Sequence, residues 1–141
     1  MKTCPHLRQK NDMKHIIIIA ALSLSLATNA RDWGRVLKAI AYIESKNDPK
    51  AVSGDQVGLL QIRPILVRDC NRILERRGSA KRYTLRDRYN PVKSREMFVL
   101  YQSHYNPKGN VERAIRLWNG GSGYTIRGTQ KYYAKVKKAM R

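Results

Sequence analysis

The chain has 141 residues, 42% of them apolar, with 29 Lys or Arg against 10 Asp or Glu, a formal net charge of +19. This length fits one domain, the apolar share is enough for one core, and full disorder is excluded because the apolar residues fall in periodic blocks. No internal repeat is present, and the charge points to a polyanionic partner: nucleic acid, an anionic membrane or an acidic cell-wall polymer.

Residues 1–30 read as a signal peptide. Lys2, Arg8, Lys10 and Lys14 precede an apolar run from Ile16 to Leu26. That run is too short for a bilayer, which needs about 20 residues, and it suits a secretory signal. Thr28 and Ala30 are small residues placed for a cut after Ala30, and Met13 is an alternative start. An uncleaved N-terminal anchor is the competing reading. Residues 31–141 hold 25 basic and 9 acidic residues, net +16, so nearly all the charge belongs to the expected folded part. Cys4 falls in the leader, which leaves Cys70 alone and excludes an internal disulfide.

From residue 31 onward the pattern predicts helices joined by short loops. Asp32 is placed to cap a helix over Trp33–Glu44 with Trp33, Leu37, Ile40 and Ala41 on its apolar stripe, stopped before Pro49. A polar loop follows over 50–58, then an apolar piece from Leu59 to Ile62. A second helix is expected from Ile65 to Arg77, ended by Gly78, with Leu66, Cys70, Ile73 and Leu74 in line. Cys70 reads there as a buried structural thiol. Residues 79–90 form a basic connector. Asn90 and Pro91 start a third helix to His104, with Met97, Leu100 and Tyr101 inward. A fourth runs from Val111 to Trp118, with Ala114, Ile115 and Trp118 on one face. A glycine-rich loop follows. The last helix starts at Thr129 and turns Tyr132, Tyr133, Val136 and Met140 inward. No alternating strand of convincing length appears, so the expected fold class is all-α, in a single domain.

Several chemistries are excluded. His104 is the one histidine after the leader, too few for a histidine metal site or a triad with its nucleophile elbow. Gly120, Gly121 and Gly123 follow no strand and precede no phosphate-loop Lys-Ser/Thr pair. No cofactor and no metal are expected.

Glu44 is the unusual residue. Trp33, Leu37, Ile40 and Glu44 share one helix face, which puts a carboxyl group in line with the buried stripe. Burial and the negative pole of the helix both push its pKa upward. A carboxyl kept protonated near neutral pH is what a general acid for glycosidic cleavage requires. The alternative is a Glu paired with one of the many basic residues.

The segment Glu44-Ser45-Lys46-Asn47-Asp48-Pro49-Lys50-Ala51-Val52-Ser53, followed by Gly58-Leu59-Leu60-Gln61-Ile62-Arg63-Pro64, resembles the signature of the SLT-type lytic transglycosylases, lysozyme-like enzymes that cut peptidoglycan. Leu117-Trp118-Asn119-Gly120-Gly121-Ser122-Gly123 is similar to their Ala-Tyr-Asn-Ala-Gly-x-Gly segment, and Thr129, Tyr132 and Val136 to their terminal Thr-x-x-Tyr-Val helix. The resemblance covers roughly residues 36–137. It implies a lysozyme-like domain over 31–141 with Glu44 as sole catalytic acid and later base. Ser45 would orient Glu44 or bond near the sugar, or merely finish the helix. Gln61 would contact the sugar, or brace its own loop. Asn119 would hold the substrate through an N-acetyl or hydroxyl group, or cap a helix. Tyr132 would hydrogen-bond Glu44 or line the cleft, or simply pack. Trp118 would contact the substrate where the family has Tyr, keeping a ring and losing the phenol; Leu60 replaces the usual Met, and the Ser53–Gly58 loop is one residue shorter than in many members.

The reaction so implied breaks the β-1,4 bond between N-acetylmuramic acid and N-acetylglucosamine and closes a 1,6-anhydro ring. A hydrolytic lysozyme is one alternative, needing a second carboxylate, for which Asp55 is the better local candidate and Asp48 the weaker. A non-catalytic basic module that binds nucleic acid or the wall is another, given Arg68, Arg72, Arg76, Arg77, Lys81, Arg82, Arg86 and Arg88, and then Lys131, Lys135, Lys137, Lys138 and Arg141. Export argues against nucleic acid. The expected partner is therefore the peptidoglycan glycan strand, met by a monomer in the periplasm or cell envelope. Its setting would be wall turnover or a secretion, conjugation or lysis machinery. The muramyl-peptide carboxylates of that polymer account for the basic surface.

Overall fold

The computed structural model describes residues 33–141; the expected leader, its Cys4, the Ala30 cut and the Asp32 cap lie outside the described residues. Within them the fold is mainly helical, in keeping with the all-α expectation. Helix α1 occupies residues 33–45. The stripe read from its sequence is buried, with Val36 and Ala39 joining Trp33, Leu37, Ile40 and Ala41. Its stop is sharper than Pro49 alone implies. Lys46 and Asn47 both take left-handed φ, 55° and 67°, and the Asn47 amide closes back onto Ala41 O at 3.2 Å. This wrapped helix end points the chain straight into the next loop.

That loop carries structure the sequence did not announce. Val52–Ser53 (β1) pairs antiparallel with Gln56–Val57 (β2) across a two-residue turn whose first residue, Gly54, has φ 61°. Val57 then bridges to Ile62. Two-residue strands are too short to show alternation, so they leave no periodic trace.

Helix α2 spans Pro64–Arg76, with Gly78 at φ 69° closing its end, within a residue of expectation. The basic connector contains a 3-10 turn at Leu85–Tyr89, held at its start by the Thr84 amide donating to Asp87 Oδ2 at 2.7 Å. Helix α3 spans Pro91–Tyr105, its first amides capped by Asn90 Oδ1. Phe98 is its most central residue and was missed by the inward set Met97, Leu100 and Tyr101; Leu100 is only partly buried. Phe98 meets Trp33 edge-on at 5.5 Å and Trp118 at 5.1 Å, so α1, α3 and α4 share one aromatic centre.

Helix α4 spans Val111–Gly120 and α5 Ile126–Ala139. Both differ from expectation. α4 continues two residues past Trp118, which puts Asn119 inside the helix rather than at its cap; Gly121 closes it, at φ 72°. α5 starts three residues before Thr129, because the Thr125 hydroxyl accepts from the Gly128 amide and supplies the cap. Gly120 lets the two helices meet: a Cβ there would lie 2.9 Å from Thr129 Cγ2 of α5 and 2.6 Å from Tyr124 Cβ in the joining loop. Arg116 locks the junction. Its buried guanidinium reaches Glu112, Ile126 O, Thr129 and Gln130, and stacks 4.4 Å from the Tyr133 ring. Cys70 is buried with its thiol pushed up to about 12 by desolvation, and His104 is exposed.

Candidate active site

A cleft of about 810 Å³ opens between the end of α1, the Gln56–Arg63 loop, α2, and the α4–α5 junction. Glu44, Gln61, Trp118, Asn119 and Tyr132 all line it. They come from separate stretches of chain, and the fold brings them to one wall.

Glu44 is set by α1, which carries it to the last turn on the buried stripe. Its Oε1 accepts a 2.6 Å hydrogen bond from Tyr132 Oη, 88 residues further on. Burial raises the Glu44 pKa above the ordinary carboxylate value. The Tyr132 bond and the positive Arg63 act the other way. The balance has a chemical meaning: desolvation favours the acid, while Tyr132 and Arg63 stabilise the carboxylate that remains after a proton leaves. Tyr132 itself is pushed far up by burial and by Glu44, so it stays a donor. No other hydrogen bond to Glu44 occurs among the described residues, which leaves Oε2 for a ligand.

Ser45 does not line the cleft. Its hydroxyl faces Leu59 O at 2.8 Å and Ala41 O at 3.1 Å, and so ties the end of α1 to the following loop. Gln61 lines the cleft, yet its Nε2 donates to Gly58 O and Ala51 O. Gln61 also holds φ 50°, a strained backbone for a non-glycine residue, of the kind that persists where the surroundings over-determine it. Trp118 donates its indole N–H to Leu60 O at 3.2 Å. The ring that stands where the family has Tyr thus braces the same loop. Asn119 is exposed at the cleft and makes no side-chain hydrogen bond among the described residues.

The loop is gripped from behind as well. Gly58 has φ 79°, and a Cβ there would sit 1.9 Å from Arg88 O. The Arg88 guanidinium is turned inward and donates to Asp55 O, Ile62 O and Leu85 O. Read from sequence as one more charge of a basic run, Arg88 is a buried clamp on the cleft wall.

Other lining residues escaped the sequence reading. Asp69 faces the cleft from α2, with Arg72 3.6 Å away. It lies beside the apolar stripe of its helix, the same signal that singled out Glu44. Asp55 lies outside the lining and pairs with Arg63 at 3.8 Å. Lys131 and Lys135 line the cleft beside Tyr132; Lys135 shares its helix face at a step of three, and Lys131 shares that of Lys135 at a step of four. Tyr101 lines the floor. A smaller hollow of about 480 Å³ adjoins Tyr105, Tyr124 and Ile126; its carboxylate, Glu112, is occupied by Arg116.

Among the described residues no cluster of His, Cys, Asp or Glu could hold a metal ion, and no helix is long and apolar enough to cross a membrane. Residues 22–141 match the family model described as the transglycosylase SLT domain. No curated protein matches the chain significantly.

Proposed function

The chain belongs to the transglycosylase SLT domain family, whose members are lysozyme-like enzymes acting on peptidoglycan, and from that premise we propose that it is a lytic transglycosylase with Glu44 as its single acid and base. The observation that carries the proposal is one carboxyl group, desolvated at a cleft, with one oxygen held by Tyr132 and the other left open.

The glycan strand lies along the cleft with the bond between N-acetylmuramic acid and N-acetylglucosamine over Glu44. Protonated Glu44 gives its proton to the leaving glycosidic oxygen as the C–O bond breaks. The substrate's own N-acetyl oxygen relieves the positive charge at the sugar carbon, so a second protein carboxylate is not required. The carboxylate of Glu44, steadied by Tyr132 and Arg63, then takes the proton from the muramic 6-hydroxyl. That oxygen closes the 1,6-anhydro ring, and Glu44 is again an acid. Asn119, with its amide uncommitted, holds an N-acetyl or hydroxyl group of the sugar. Export through the expected 1–30 leader brings the domain to its polymer in the envelope.

Mass analysis of products from purified peptidoglycan tests the reading. Anhydro-muropeptides, lighter by one water than hydrolytic products, are expected. Products with the water retained would overturn it in favour of a hydrolase, for which Asp69, lining the cleft, is a better second carboxylate than Asp55.

A further inference from the structure

The charges of the cleft are unevenly matched. Its two carboxylates are both engaged, Glu44 by Tyr132 and Asp69 by the neighbouring Arg72. Of its three cations, Arg63 has Asp55 beside it. Lys131 and Lys135 are exposed at the cleft and make no ion pair among the described residues. They are four residues apart on α5, so their stems rise from one helix face about 6 Å apart along the axis. Arg127 and Lys138 continue the same face, at steps of four and three, giving a cationic stripe roughly 16 Å long.

Helix stability does not explain Lys131 and Lys135, although Lys138, in the last turn, is favoured by the helix dipole. Like charges at a spacing of four repel one another. α5 has no acidic residue in its first turn, where the helix dipole favours one, and carries Arg127 there instead. The buried arginines of this molecule show the contrast. Arg88 and Arg116 satisfy their donors on carbonyls, hydroxyls and carboxylates of the protein, whereas Lys131 and Lys135 keep theirs free at the mouth of the site.

Resting on the proposed function, we infer that Lys131 and Lys135 form a carboxylate-recognition strip, which selects glycan whose muramyl units carry free carboxylates and holds it in register over Glu44. Those carboxylates have two alternative sources: the acids of the peptide stem while it is attached, and the lactyl group of the muramic acid once the stem's amide bond is cut. A bare polymer of N-acetylglucosamine has neither.

The test is equilibrium binding by the full chain in the Glu44→Gln background, so that no turnover intervenes. Four probes are compared: a peptidoglycan tetrasaccharide with tetrapeptide stems, the same strand stripped by an amidase to its lactyl carboxylates, neutral chitotetraose, and single-stranded DNA as a competing polyanion. Lys131→Gln/Lys135→Gln is expected to weaken binding of the stem-bearing strand roughly five- to tenfold and to leave chitotetraose within about twofold. A loss on the stripped strand alone assigns the strip to the lactyl carboxylate, a loss on the stem-bearing strand alone assigns it to the stem, and an equal loss on both shows that it takes either carboxylate. Lys38→Gln/Lys108→Gln, which removes the same charge elsewhere, is expected to change nothing. The inference is overturned by an equal loss on chitotetraose, by the same loss in the Lys38/Lys108 variant, by no loss on any probe, or by a larger loss on single-stranded DNA. If the wild-type chain releases no anhydro products but the discrimination persists, only the catalytic reading falls.

Discussion

The two walls of the cleft use polar side chains in opposite ways. Along the loop wall and behind it, Ser45, Gln61 and Arg88 spend their polar groups inside the protein, and Arg63 pairs with Asp55 at the surface. Ser45 bonds Leu59 O, Gln61 bonds Gly58 O and Ala51 O, and Arg88 reaches in to Asp55 O and Ile62 O. On the helical wall, from Asn119 to Lys135, Asn119, Lys131 and Lys135 make no such bonds among the described residues, although Arg116 fixes the helices beneath them. One wall is built to be immobile and the other to offer free donors. Tyr132 joins them, standing on the helical wall and holding the acid that ends the loop wall's helix. Sequence motifs on the first wall are therefore matters of geometry as much as contact.

Four substitutions sharpen this contrast. Glu44→Gln is expected to lower turnover by about a thousandfold or more, because the proposed proton donor is lost while shape is kept. The fold should survive and gain stability as the pH rises above the ordinary carboxylate value. Burial raises the folded-state pKa of Glu44, so ionisation costs stability as pH rises past the unfolded value, and the variant escapes that cost. Denaturation measured at acid and neutral pH checks the sign: the difference should vanish at low pH.

Gly58→Ala attacks the immobile wall. A Cβ 1.9 Å from Arg88 O cannot be housed without moving backbone, and a loss of about 3 kcal/mol is expected. A denaturant midpoint close to wild type would show that the wall is soft.

Tyr132→Phe cuts the joint between the walls. Turnover should fall roughly tenfold, with the fold retained. Since the Tyr132 bond lowers the Glu44 pKa, its loss raises that pKa further and moves the alkaline limb of the pH profile upward. A limb that moves down would contradict the assignment.

Asn119→Ala tests the free wall and should be mildest. With no internal bond to lose, stability should stay within about 0.5 kcal/mol, while KM rises a few-fold. A large stability loss would instead make Asn119 part of the frame.

The periodic spacing of Trp33, Leu37, Ile40 and Glu44 settled, from sequence alone, that a carboxyl group ends the buried stripe of the first helix. The same local logic placed α2 and α3 nearly to the residue, and the Glu-Ser and Gly-Leu-Leu-Gln segments pointed to the family. Local spacing also misled where a cap decided the boundary, as Thr125 did for α5 and Gly121 for α4. What tertiary structure alone decided is how each polar group is used. Arg88 and Lys131 are equally basic in the sequence, yet one is sealed against three carbonyls and the other faces the cleft. The +19 charge likewise says that anions are attracted, but not where. Periodicity fixes which face of a helix a residue occupies, because that follows from backbone geometry. Whether its donors find partners depends on which other element packs against that face, and such a pairing, as between Tyr132 and Glu44, spans 88 residues of chain.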